Sequence, residues 1–64
     1  MSHEIACIFK ASSDNAVVIY DPATDEYLCI PLSQVEEMHG RKKDGTGEGT
    51  IVMSDWIARK KGLL

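Results

Sequence analysis

The stretch Ala16-Val17-Val18-Ile19-Tyr20-Asp21-Pro22-Ala23-Thr24-Asp25-Glu26-Tyr27-Leu28-Cys29-Ile30 decides the fold. Apart from Ala16, its first five residues are β-branched or aromatic, a composition that suits an extended chain. Asp21-Pro22 then matches the first two positions of a type I turn, because proline presets the φ angle required at the second. Residues 26–30 resume β character at once. Pro31 biases Ile30 toward an extended conformation and ends the hydrogen-bonded ladder. The segment therefore reads as a β-hairpin. Its second arm has apolar side chains on both alternating sets, Leu28, Ile30 and Leu32 on one and Tyr27 and Cys29 on the other, which predicts a central strand rather than an edge.

Working outward, residues 5–9 form another β-leaning segment, separated from the hairpin by the small polar turn residues Ala11-Ser12-Ser13-Asp14-Asn15. On the other side, Ser33-Gln34-Val35-Glu36 fits a capping box and predicts one helical turn through about Met38. Residues 39–49 contain four of the five glycines and no apolar side chain, so a mobile loop is expected there. Strand character returns at residues 50–53. Ser54-Asp55 then starts a closing helix with a good N-cap and an acid at the positive end of its dipole. Gly62 suits the left-handed position after the helix, with Leu63 folding back on it. The whole chain, residues 1–64, reads as a single small domain of α+β class, mainly β. The expected architecture is a small antiparallel SH3-like or OB-like barrel or curled sheet of about four strands with a short C-terminal helix.

A domain of 64 residues buries only about 60% of the surface its unfolded chain exposes, which leaves little room for an enclosed substrate cavity. Enzymatic activity is disfavoured on that ground. His3, His39, Cys7 and Cys29 are the only soft metal ligands. None of them forms a C-x-x-C or H-x-x-x-H pair, so neither a metal nor a cofactor is expected. A dyad of either cysteine with His39 lacks an orienting third group. No catalytic residue is assigned, and both cysteines are expected as small buried hydrophobes. The Gly45-Thr46-Gly47-Glu48-Gly49 run lacks the helix that follows a phosphate-binding loop, and Glu48 would repel a phosphate. The longest apolar stretches fall far short of a membrane span. The opening Met1-Ser2-His3-Glu4 carries no basic-then-apolar signal pattern, so a cytoplasmic location is the expectation.

Charge is distributed unevenly. The formal net charge is −3, yet residues 1–40 carry −6 and residues 41–64 carry +3. Six of the seven bases lie in two triplets, Arg41-Lys42-Lys43 and Arg59-Lys60-Lys61. Should the glycine-rich loop fold over the closing helix, the two would merge into one basic patch, a footprint for a phosphate backbone. Bases in a last helical turn also complement the helix dipole with no partner at all. Trp56 is expected to anchor the helix in the core. A second, less favoured reading makes it an interface anchor with Leu63 and Leu64, from which a homodimer would follow.

Two further segments share a pattern: Ile30-Pro31-Leu32-Ser33-Gln34-Val35 and, after a polar loop, Ile51 through Leu63 with Trp56-Ile57-Ala58-Arg59-Lys60-Lys61-Gly62-Leu63. The pattern, I-P-x-S-Q-I/V followed by W-I/L-A-x-K-K-G-L, resembles small bacteriophage and prophage modules of unassigned function. The chain departs from it at Cys29, where the modules have an aromatic, and at Ser54-Asp55, where they have proline before the Trp. The resemblance implies a stand-alone protein or an accessory of nucleic-acid-processing proteins. Most shared residues are fold determinants, whereas Gln34 and the Arg59-Lys60-Lys61 run have no evident structural duty. The expected function is a non-enzymatic binding module. It would contact nucleic acid, or a protein that processes it, through Arg41, Lys42, Lys43, Arg59, Lys60 and Lys61, with Gln34, Trp56, Leu63 and Leu64 as partner contacts. The alternative is a phage-encoded inhibitor or interaction module that uses an acidic body, Asp21, Asp25, Glu26, Glu36 and Glu37, to occupy a basic surface on a host protein.

Overall fold

A computed structural model describes residues 2–64. The chain forms β1 (Ser2–Ser12), β2 (Ala16–Asp21), β3 (Glu26–Pro31), a 3-10 turn (Leu32–Gln34), β4 (Val35–His39), β5 (Gly47–Ser54) and α1 (Asp55–Lys60). All strand pairs are antiparallel, and the five strands lie in the order β3-β2-β1-β5-β4. The hairpin read from residues 16–30 is present, with Tyr20 opposite Tyr27 and Asp21 opposite Glu26. Its turn places Asp25 at φ 57°, in the left-handed region that aspartate tolerates better than most residues.

Alternation along the strands builds the core. Cys7 and Phe9 of β1, Val17 and Ile19 of β2, Leu28 and Ile30 of β3, and Ile51 and Met53 of β5 are buried together with Ile57 and Ala58 of α1. The sheet is not closed into a barrel, because the edges β3 and β4 are not hydrogen-bonded to each other. It is nevertheless strongly curled. Only Leu32–Gln34 connects the two edges, and the four Cα steps from Pro31 to Val35 reach at most about 15 Å. Across a flat sheet four strand spacings would already need about 19 Å.

Three expectations are corrected here. The strand count is five rather than about four, because residues 35–39 form β4 and not a helical turn. The capping box does not form: Pro31 holds the N-cap position of the 3-10 turn, no side chain caps it, and Val35 is already extended at φ −92°, ψ 125°. β4 bulges between Val35 and Glu37, and both Val35 and Met38 pack against the core. Second, β3 is an edge strand rather than a central one. The apolar residues of its second set, Tyr27 and Cys29, are exposed on the outer face, where Tyr27 packs against Tyr20 with ring centroids 5.2 Å apart. Cys29 is therefore not the buried hydrophobe expected, whereas Cys7 is.

Third, the glycine-rich segment is not one continuous loop but the end of β4, a turn and the start of β5. β5 begins at Gly47, and the residues before it form a tight hairpin. The Lys42 amide donates to the Thr46 carbonyl at 2.7 Å, and the Gly45 amide to the Lys42 carbonyl at 3.0 Å. The Asp44 carboxylate accepts both the Thr46 amide and its hydroxyl, at 3.0 and 2.7 Å. These bonds, the hydroxyl first, hold its pKa below the ordinary carboxylate value. Below the turn two backbones meet at Gly40 and Gly49, where a Cβ on Gly49 would fall 1.8 Å from the His39 carbonyl oxygen.

Candidate functional site

The closing helix forms as its sequence predicts. The Ser54 hydroxyl accepts the Ile57 amide, and Asp55 sits in the first turn. Past the C-terminus, Gly62 adopts φ 78°, its amide donates to the Arg59 carbonyl, and the Leu63 amide donates to the Ala58 carbonyl at 2.8 Å. This pair of bonds is a Schellman motif. It turns Leu63 back against the core, where it is half-buried, and leaves Leu64 exposed.

Six residues of helix have room for one buried face, and Ile57 and Ala58 take it. Trp56, set back by roughly 100° from Ile57 and 200° from Ala58, faces solvent and is 59% exposed. The expectation of a core tryptophan is thus corrected. Residues four apart on a helix are neighbours, and the Lys60 ammonium lies 4.8 Å from the centroid of the Trp56 ring. Arg59 is exposed beside them and Lys61 is half-buried at the cap. No lysine or arginine forms an ion pair among the described residues; the one pair there joins His39 to Glu37 at 3.4 Å. An exposed aromatic ring flanked by cations without ion-pair partners can offer a face to a planar base while the cations meet phosphate oxygens.

Arg41, Lys42 and Lys43 are also exposed, but they lie elsewhere. Their hairpin precedes β5 and packs toward Ser12, at the far end of β1, whereas α1 starts at Ser54, which pairs with Ser2 at the near end. Gly62 and Leu63, just past the second triplet, border the β2–β3 turn at Asp21–Thr24. The loop does not fold over the helix, and the two triplets do not form one patch. β5 holds them apart, since eight extended residues span about 25 Å.

Gln34 has a structural duty that the sequence did not reveal. Its side-chain oxygen accepts a 2.6 Å hydrogen bond from the Ser54 hydroxyl, which ties the 3-10 turn to the helix cap. The acidic residues divide in the same way. Asp21 is buried, and its carboxylate accepts the Ala23 amide and the Thr24 hydroxyl. Asp25 accepts the Tyr20 hydroxyl, a bond that pushes the phenol's pKa up. Glu26 is exposed at the first position of β3, and Glu36 and Glu37 are exposed along the edge strand β4, where charge keeps foreign strands from pairing.

No group of three or more His, Cys, Asp or Glu side chains that could hold a metal ion occurs among the described residues. No helix there is long and apolar enough to cross a membrane. The chain matches no protein-family model, no curated protein and no solved structure.

Proposed function

We propose that the protein is a non-enzymatic binding module for single-stranded nucleic acid, with its contact surface at Trp56, Arg59, Lys60 and Lys61. One observation carries this reading: the protein's only tryptophan stands 59% exposed on a short helix with a lysine ammonium over its ring. Trp56 left exposed on so small a domain offers aromatic surface that a partner can cover. A base stacked on an aromatic side chain contributes about 1–3 kcal/mol whatever its identity, and the flanking cations add a salt-dependent term. The accessory role implied by the bacteriophage resemblance fits a module of this kind. The acidic-body reading has less support, since Asp21 and Asp25 serve the β2–β3 turn and Glu36 and Glu37 guard the β4 edge.

Because Trp56 is the sole tryptophan, its fluorescence reports on this surface alone. Titration with an unlabelled single-stranded oligonucleotide at low salt is expected to quench it. The affinity should fall as salt is raised, and a duplex of equal length should bind more weakly. Unchanged emission at low salt over the full titration removes the proposal.

A further inference from the structure

The two sheet edges are unlike. β4 carries Glu36, Glu37 and His39 together with a bulge, devices that keep an edge from pairing. β3 has no bulge, and its only charge is Glu26 at one end.

The backbone geometry of β3 fixes which groups its free edge offers. The Leu32 amide donates to the Asn15 carbonyl, and Pro31 lies opposite Ala16. In an antiparallel ladder the bonded residues alternate, so Ile30 and Leu28 also bond toward β2 while Tyr27, Cys29 and Pro31 turn their backbone groups outward. Pro31, extended at φ −61°, ψ 131°, thus lacks its N–H on the open side, where an edge proline is tolerated. The edge presents two donors, from Tyr27 and Cys29, and three acceptors. Side chains of these same residues lie on the outer face, with Tyr27 67% exposed and Cys29 exposed.

We propose that this edge pairs with a second copy of itself, antiparallel about Cys29, joining two sheets into one. In that register the two Cys29 residues exchange both backbone hydrogen bonds. Each Tyr27 amide donates to the partner copy's Pro31 carbonyl, so every outward N–H is used. The Tyr27 ring faces a proline, Leu28 lies opposite Ile30, and Glu26 falls opposite Leu32 rather than another Glu26, so no like charges meet. The β4 edge, broken by its bulge between Val35 and Glu37, offers no such uninterrupted ladder. The complementarity of the β3 edge to its own sequence is what selects a second copy as the occupant.

The register places the paired Cys29 Cα atoms about 5.5 Å apart, inside the range a disulfide can bridge. Cys29 therefore serves as a probe. Diamide, which takes up the two electrons and two protons, should convert the native protein to a covalent dimer at a rate that rises with concentration. Cys7 is buried in the core and its thiol is pushed up to about 11 by that burial and by Asp21, so it stays out of the reaction at neutral pH. Tyr27→Lys should slow cross-linking by roughly tenfold or more, while the lost contact with Tyr20 lowers the melting midpoint by only about 5 °C and leaves the domain folded under the assay conditions. In the wild type, the Tyr27 and Cys29 amides should gain protection from hydrogen exchange as concentration rises, a measurement that needs no variant. Cys29→Ser should still dimerise by sedimentation. A strict monomer at high concentration, or native cross-linking no faster than that of the urea-unfolded chain, overturns the proposal. So does a dimer that Tyr27→Lys leaves intact, and so does protection of the two amides only when an unrelated extended peptide is added.

Discussion

Arg41-Lys42-Lys43 and Arg59-Lys60-Lys61 are the same tripeptide in two settings. The first rides on a hairpin whose backbone is pinned by Asp44, Thr46 and the Gly40–Gly49 crossing, with no aromatic residue in the turn. The second ends a helix whose dipole it complements, next to an exposed tryptophan ring that meets the Lys60 ammonium. Three bases in a row are a surface only in combination with what the backbone sets beside them. At the hairpin they provide charge alone; at the helix they provide charge around a stacking plane.

The comparison can be broken at its strongest point by Gly49→Ala. A Cβ there would stand 1.8 Å from a backbone oxygen that cannot move aside, and the expected loss of about 3 kcal/mol or more should appear as a collapse of the thermal transition. Gly62→Ala is the control at the helix end. Nothing lies within 4 Å of its Cβ, so only the positive φ is strained, at about 1 kcal/mol. Similar melting points for the two variants would mean that the crossing opens freely. The functional contrast is tested by replacing each triplet with alanines. Loss of 59–61 should weaken single-strand binding about tenfold or more and flatten its salt dependence by about 0.7 for each phosphate contact removed. Loss of 41–43 should do less. Equal losses would show that the strand reaches both ends.

A smaller effect is expected from Ser54→Ala, which removes the cap on Ile57 and the partner of Gln34. Urea unfolding should register about 1 kcal/mol, and a double-mutant cycle with Gln34→Ala should show the two residues coupled. Smallest is an alkaline effect at Cys7, which lies opposite Gly49 between the two ends. Its folded-state pKa of about 11 exceeds the ordinary 9.0, so the unfolded chain gives up this proton first. Its contribution is full below pH 9 and is lost as pH rises toward 11. The difference in stability between wild type and Cys7→Ala, followed across that interval, isolates it from other groups.

What could be read from the sequence follows the range of the forces involved. The β2–β3 hairpin, the Ser54 cap and the Gly62 stop depend on neighbours within a few residues, and all are present. β4 was missed because Ser33 and Glu36 have capping-box spacing while Pro31, two residues before Ser33, already occupies the cap position. The edge position of β3 was missed for a different reason. It depends on β1 pairing with β5 on its other side, a contact between opposite ends of the chain that no local pattern announces. Trp56 was partly legible: Ile57 and Ala58 already fill the buried face of so short a helix, and a helical wheel drawn on residues 55–60 turns the ring away from them. The tie from Gln34 to Ser54 spans 20 residues and left no local trace.

The pairing of Ser2 with Ser54 also governs when the molecule can become itself. The β1-β2-β3 meander and the β4-β5 hairpin each join neighbours in sequence and can form as the chain is synthesised. The junction between them cannot exist until β5 has emerged, and it closes a loop running from Ser2 to Ser54. Such non-local closures slow folding. Until that moment the meander waits with the far side of β1 bare, so the interval between making residue 12 and making residue 54 is when this chain most needs protection from its neighbours.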